Sequence, residues 1–154
     1  LTMDSEGKLR LSLDYIFGSS TGSSLPRGKI QISRSRRTGR IKQFSYEGEI
    51  LGSFRSDGSI ALSLNGANFL YSRGALSGNS LKISADAADA VSTGLSLFSK
   101  HCLSCGENIR PGSEAILVGP SGKTVAVGKA VLSSRAIKQF KSGVAVKVRH
   151  GEDR

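Results

Sequence analysis

Apolar and polar positions alternate with period two in most patterned segments of this chain, which predicts a protein built mainly of short strands. Lys29-Ile30-Gln31-Ile32-Ser33 alternates, and so does Ile41-Lys42-Gln43-Phe44-Ser45-Tyr46. Glu47-Gly48 then turns into Ile50 to Arg55, and Asp57-Gly58 turns into Ile60 to Leu64. The last three segments predict a three-stranded antiparallel meander with one half-buried face. Residues 8–17 satisfy two periods at once. Leu9, Leu11, Leu13 and Tyr15 alternate as on a strand, whereas Leu9, Leu13, Ile16 and Phe17 fit one helical face, with Gly18 placed to cap it. Ser19 to Ser24 is a loop by composition, closed by Pro26. Asn65 to Tyr71 fits a helix with Ala67, Leu70 and Tyr71 on its apolar side.

The second half repeats the strand theme. After Leu81-Lys82-Ile83, Ser84 opens a helix over Ala85 to Val91 that Gly94 ends. Leu95 to Lys100 is expected as the first long strand, followed by a loop holding Cys102 and Cys105. Ile109-Arg110-Pro111-Gly112 turns into strand Glu114 to Val118, and Gly119 to Gly122 turns into strand Thr124 to Leu132. A short helix runs from Ser133 or Ser134 through Phe140. Gly143 breaks it before a final strand, Val144 to Arg149, and the tail after His150 is expected to fray. Gly74, Gly78 and Asn79 loosen the chain between the halves. The fold class is therefore an α+β N-terminal domain with an antiparallel sheet over residues 1–78, then a small β-barrel over residues 79–154.

Composition agrees with two small cores better than one large one, since 38% of the 154 residues are hydrophobic and Trp is absent. Charge narrows the partner. Lys and Arg number 22 against 12 Asp and Glu, a net charge of +10, which favours a polyanion. Arg34, Arg36, Arg37, Arg40 and Lys42 fall within nine residues without an acidic neighbour. Between two strands such a cluster reaches several phosphates at once; the alternative is a solvated charge run. Lys100, Lys129, Lys138, Lys141, Lys147 and Arg149 recur in the second half. Lys147 and Arg149 share a strand face by period two, and Lys138 and Lys141 share a helix face by i, i+3 spacing. Together they suit an RNA duplex read by shape and phosphates. No aromatic is interleaved with these cations, which argues against stacking of single strands.

Catalytic chemistry is hard to place. His101 and His150 stand outside any nucleophile–base or metal spacing, and no paired carboxylates form a motif. Gly119-Pro120-Ser121-Gly122-Lys123-Thr124 lacks the first Gly of a P-loop and precedes a strand where a helix is required. Cys102-Leu103-Ser104-Cys105 admits three readings: an incidental loop pair, zinc ligands with His101 as at most a third, or a redox pair. No metal and no cofactor is expected. No apolar run approaches the ~20 residues that span a bilayer, and the polar start Leu1 to Glu6 does not read as a signal peptide. No membrane partner and a cytoplasmic location are expected.

The stretch from about Ser80 to His150 resembles the PUA domain, an RNA-binding barrel of tRNA- and rRNA-modifying proteins. The likeness rests on Ile109 to Gly112, Ala115 to Val118, Ala126 to Ser133 and Arg135 to Val148. It is nearest to the version that ends archaeal tRNA-guanine transglycosylases. Asp14 to Gly18, Arg34-Ser35, Thr38 to Ile41 and Asp57 to Ala67 are similar to the pre-PUA domain of that family. The resemblance implies a non-catalytic accessory unit that binds RNA, with the tRNA acceptor stem as target and a separate tRNA-modifying enzyme as partner. It implies an RNA surface at Ala85 to Val91, at Thr93, Gly94, Leu95 and Ser96, and at Ala145 to Arg149. Two other readings stay open: an rRNA- or translation-associated factor using the same surface, and a redox or zinc-dependent enzyme centred on Cys102 and Cys105.

Overall fold

A computed structural model describes residues 4–153; Leu1, Thr2 and Met3, part of the polar start that does not read as a signal peptide, and Arg154 lie outside the described residues. The ambiguous opening segment is a helix, α1, Ser5–Phe17. Asp4 caps it by accepting the Gly7 amide at 2.7 Å. Leu9, Leu13 and Phe17, spaced four apart, are buried, while Leu11 is 54% and Tyr15 92% exposed. A strand would have put all the alternating residues on one face, so the burial pattern decides for the helix.

The polar side of α1 then organises the Ser/Gly loop. Asp14 accepts the Gly22 amide at 2.7 Å. Arg10 donates to the Leu25 and Pro26 carbonyls at 3.0 and 3.2 Å and to Glu6 at 2.7 Å. These bonds fold part of the loop into a 3₁₀ turn, Gly22–Ser24.

The first sheet comprises β1 (Ile30–Arg34), β2 (Ile41–Tyr46), β3 (Glu49–Phe54) and β4 (Ile60–Leu62), in that order and antiparallel throughout. It has four strands rather than the three-stranded meander expected, because β1 pairs with β2 with Ile32 opposite Phe44. Helix α2 (Leu64–Ser72) begins where Ser63 accepts the Gly66 amide at 2.9 Å. It lies against β3 so closely that a Cβ on Gly66 would fall 1.8 Å from the Leu51 carbonyl oxygen. Phe44, Leu51, Ile60, Leu62, Ala67 and Leu70 form the buried interior of this part.

The chain divides into two compact units between Ala75 and Leu76, three residues before the boundary read from the sequence. The second unit contains β5 (Ser80–Ile83), α3 (Ala85–Ser92), β6 (Leu97–Phe98), β7 (Cys102–Cys105), β8 (Glu114–Val118), β9 (Thr124–Ala130), α4 (Ser134–Gln139) and β10 (Val144–Gly151). Its six strands run in the order β6-β10-β9-β8-β5-β7. The two outermost strands are consecutive in sequence, separated only by the 3₁₀ turn Ser99–His101. So short a link forces the sheet to curl until its edges meet, and the result is a nearly closed barrel. All pairings are antiparallel except β5 with β8. Every residue of β8 is buried, as expected of a strand covered on both faces.

Three expectations are corrected here. Leu95 to Lys100 is not a long strand; only Leu97–Phe98 pairs, before the 3₁₀ turn diverts the chain. The cysteine segment is not a loop but an edge strand hydrogen-bonded to β5. The tail does not fray at His150: the Glu152 amide donates to Val125 and the Asp153 amide to Ser92, at 2.9 and 2.8 Å. Gly151 permits this, since a Cβ there would sit 2.3 Å from the Ser92 carbonyl oxygen. Among the described residues no helix is long and apolar enough to cross a membrane.

Candidate nucleic-acid interface

In the first unit the basic run falls on the β1–β2 connection. The Ser35 amide donates to Arg40 and the Gly39 amide to Ser35, both at 2.8 Å, closing the loop on itself. Arg34 is fixed from both ends: Nη1 donates to the Gly39 carbonyl at 2.6 Å, and Nε donates to Ser5 Oγ at 3.0 Å. Arg34 therefore holds the loop against the start of α1. Arg36, Arg37 and Arg40 are exposed, and no hydrogen bond or ion pair engages their guanidinium groups among the described residues.

The loop walls a cleft of about 510 Å³ to which six cations contribute: Lys8, Arg34, Arg37, Arg40, Lys42 and Arg55. No carboxylate lines it. Like charges gathered in a concave site reinforce one another's potential, and phosphates relieve that repulsion. Sequence reading missed Lys8 and Arg55. Lys8 joins the cluster only through the helical reading of residues 8–17, and Arg55 only through the turn that folds Ser56 to Gly58 beside the loop.

In the second unit the cations are arranged across neighbouring strands. Glu114 on β8 stands opposite Lys129 on β9, which stands opposite Lys147 on β10. Lys129 and Lys147 are exposed. Arg149 does not continue the Lys147 face by simple alternation, because a bulge between Val148 and His150 leaves it as the extra residue. Its Nη1 donates to Glu114 at 2.9 Å, and that carboxylate is buried. Arg149 is thus a structural partner as much as a surface cation.

Two further expectations change. Lys138 and Lys141 do not share a helix face, since α4 ends at Gln139 and Lys141 lies beyond its cap, Phe140. Lys138 meets Glu107 at 2.9 Å, and the mutual hydrogen bond raises the lysine and lowers the carboxyl from their usual pKa ranges. Aromatics do stand among the cations: Phe98 is 48% and Phe140 57% exposed. Phe98 lies opposite Val144, and the Ser99 amide donates to Gly143 at 2.9 Å, which ties β6 to the segment that follows α4. The adjacency of Phe140 and Lys141 in sequence was the signal available for this.

The glycine loop follows α3. Gly94 adopts φ +100°, a region that favours glycine, while Thr93 Oγ1 donates to Ala90 at 2.7 Å and Leu95 is 61% exposed. Lys100 lies exposed in the 3₁₀ turn. Cys102 and Cys105 are free and buried, and the described residues hold no group of three or more His, Cys, Asp or Glu able to hold a metal ion.

A glycine loop after a helix, a mixed six-stranded barrel and a basic outer row define the second unit as a small basic barrel that follows a basic α+β domain along the chain. Comparison makes this specific. Residues 79–151 match the PUA domain, and residues 8–73 match the patch-forming domain C2 of tRNA-guanine transglycosylase. The chain thus carries a PUA-like stretch in its second half and resembles the accessory domains of archaeal tRNA-guanine transglycosylases. It is 34% identical over 147 residues to the tRNA-guanine(15) transglycosylase of Thermoplasma acidophilum, covering 95% of this chain and 23% of that protein. Against the enzyme of the same name from Methanosphaera stadtmanae it is 38% identical over 140 residues, covering 88% and 21%. The chain thus spans less than a quarter of the length of these relatives. Its fold is similar to the crystal structure of a hypothetical protein from Pyrococcus horikoshii, with TM-score 0.76, 18% identity and coverage of 100% of this chain and 93% of that one. A PUA domain protein from Thermoplasma acidophilum gives TM-score 0.69 and 16% identity, covering 98% and 93%.

Proposed function

We propose that this chain is a non-catalytic RNA-binding unit in tRNA modification, which grips the acceptor-stem region of structured tRNA. The cleft with six cations and no carboxylate carries this reading. A phosphate backbone is the polyanion that best matches so many guanidinium and ammonium groups in one concave site, because binding releases its condensed counterions. The match of residues 79–151 to the PUA domain supports RNA over other polyanions, and the similarity to tRNA-guanine transglycosylases supports tRNA over other RNAs. The base-exchange chemistry falls to a separate enzyme, which this unit would supply with correctly held tRNA in the cytoplasm. In the second unit, Thr93 to Ser96, Lys100, Lys129, Lys141 and Lys147 serve as the RNA-facing positions, with Lys138 and Arg149 contributing from within their ion pairs.

Binding of the full chain to tRNA and to duplex DNA across a salt series tests this. Tighter binding of tRNA is expected, and equal affinity for the two would reject the tRNA claim. Replacing Arg36, Arg37 and Arg40 together with Gln should flatten the salt dependence by a slope of about 2–3, roughly 0.9 for each phosphate that the variant no longer neutralises. An unchanged slope would show the loop to be merely solvated.

A further inference from the structure

The two cysteines are arranged in a way that a strand does not ordinarily allow. Residues three apart on a regular strand project to opposite faces. On β7, however, Cys102 pairs with Ile83, Ser104 with Lys82 and Cys105 with Leu81, so Leu103 is an extra, bulged residue. Leu103 is 70% exposed, while Cys102 and Cys105 both turn inward with 7% and 8% exposure. Both belong to the interior that also holds Leu81, Ile83 and Ile137 of α4.

Helix α4 packs against this strand. The Ser134 hydroxyl beside Cys105 is buried without a hydrogen-bond partner among the described residues. Interaction with Cys105 and burial hold the Cys102 thiol protonated. Interaction with Cys102, aided by the Lys138 charge, lowers Cys105 to about 7. One sulfur is thus prepared to attack and the other to follow.

We propose that Cys102 and Cys105 form a redox-active dithiol whose closure to a disulfide resets the lysine surface around α4; the second half of this statement rests on the RNA-binding reading of that surface. In the first step the Cys105 thiolate attacks one sulfur of a small-molecule disulfide, breaking its S–S bond and releasing one thiolate. The Cys102 thiol then loses its proton and attacks Cys105 Sγ, releasing the second thiolate. Two electrons pass from the cysteines to the oxidant, which leaves as two thiols. Closure removes the Cys105 charge that Lys138 faces. It also draws on Cys102, which directly follows Lys100 and His101. The surface cations are therefore coupled to the sulfurs through both chain and charge.

The full chain equilibrated with mixtures of reduced and oxidised glutathione tests the proposal, with intact mass, peptide mapping and tRNA affinity as readouts. Loss of two hydrogens with a Cys102–Cys105 bridge is expected. Cys102→Ser should trap a mixed disulfide on Cys105, and Cys102→Ala serves the same purpose if the serine disturbs the core. Affinity for tRNA should differ about five-fold or more between the two redox forms, and not in the double Ser variant. Thiols that remain free, a metal ion found bound to them, or equal affinity of the two forms would overturn the proposal. Absence of tRNA binding by the reduced wild type would instead sink the RNA reading and the coupling, while the mass data still decide whether the dithiol exists.

Discussion

Lys129 and Lys147 stand directly opposite each other on adjacent antiparallel strands, with both side chains exposed. Like charges in that relationship destabilise a sheet by a few tenths of a kcal/mol to about 1 kcal/mol. Lys147→Gln, which leaves the Glu114–Lys129 pairing in place, is therefore expected to raise the unfolding midpoint slightly while weakening RNA binding and lowering the salt slope by about 1. Chemical denaturation and salt-dependent binding of one variant read both effects. A loss of stability would show that the pair is not repulsive.

Glu114 gives the opposite case. Its carboxylate is buried, and Arg149 reaches it across the sheet at 2.9 Å. Arg149→Met leaves that charge without its guanidinium. A loss of about 2 kcal/mol in unfolding free energy is expected, below the range for fully buried pairs because Arg149 keeps part of its surface in water. Urea denaturation measures this, and an unchanged midpoint would mean that the pair contributes little.

Glu6 predicts the acid behaviour of the first unit. The Arg10 hydrogen bond, together with the Gly28 amide, holds its carboxyl below the ordinary carboxylate range. A depressed carboxyl contributes stability above its unfolded pKa, and that contribution disappears as pH falls through the lower folded value. The thermal midpoint of the wild type should thus fall on acidification below about pH 4.5, more steeply than that of Glu6→Gln. Parallel curves for the two proteins would remove Glu6 from this account.

Much of this fold is legible in the sequence. The alternation of Ile41 to Tyr46, the Asp57-Gly58 turn and the Ser84 cap act locally, so their signals lie within a few residues. The features that escape depend on partners far along the chain. Residues 8–17 carry both periods, and only burial against the first unit's interior separates Leu13 from Leu11. Cys102–Cys105 has the composition of a loop, but pairing with β5 makes it a strand. Arg149 reads as a free surface cation until β8 brings Glu114 beneath it. Lys8 and Arg55 join the Arg34–Lys42 run only in three dimensions, so the cleft is larger and more basic than any window of sequence suggests.

The parallel contact of β5 with β8 has a kinetic corollary. Successive strands of the first sheet zip together as hairpins, each needing only the one just before it. By contrast, one edge of β5 stays uncovered until Ile116 arrives opposite Ser80. Closing so long a loop costs entropy before any contact rewards it, which makes this step slow. During synthesis the leading unit is positioned to be complete while the trailing one still awaits its central strand.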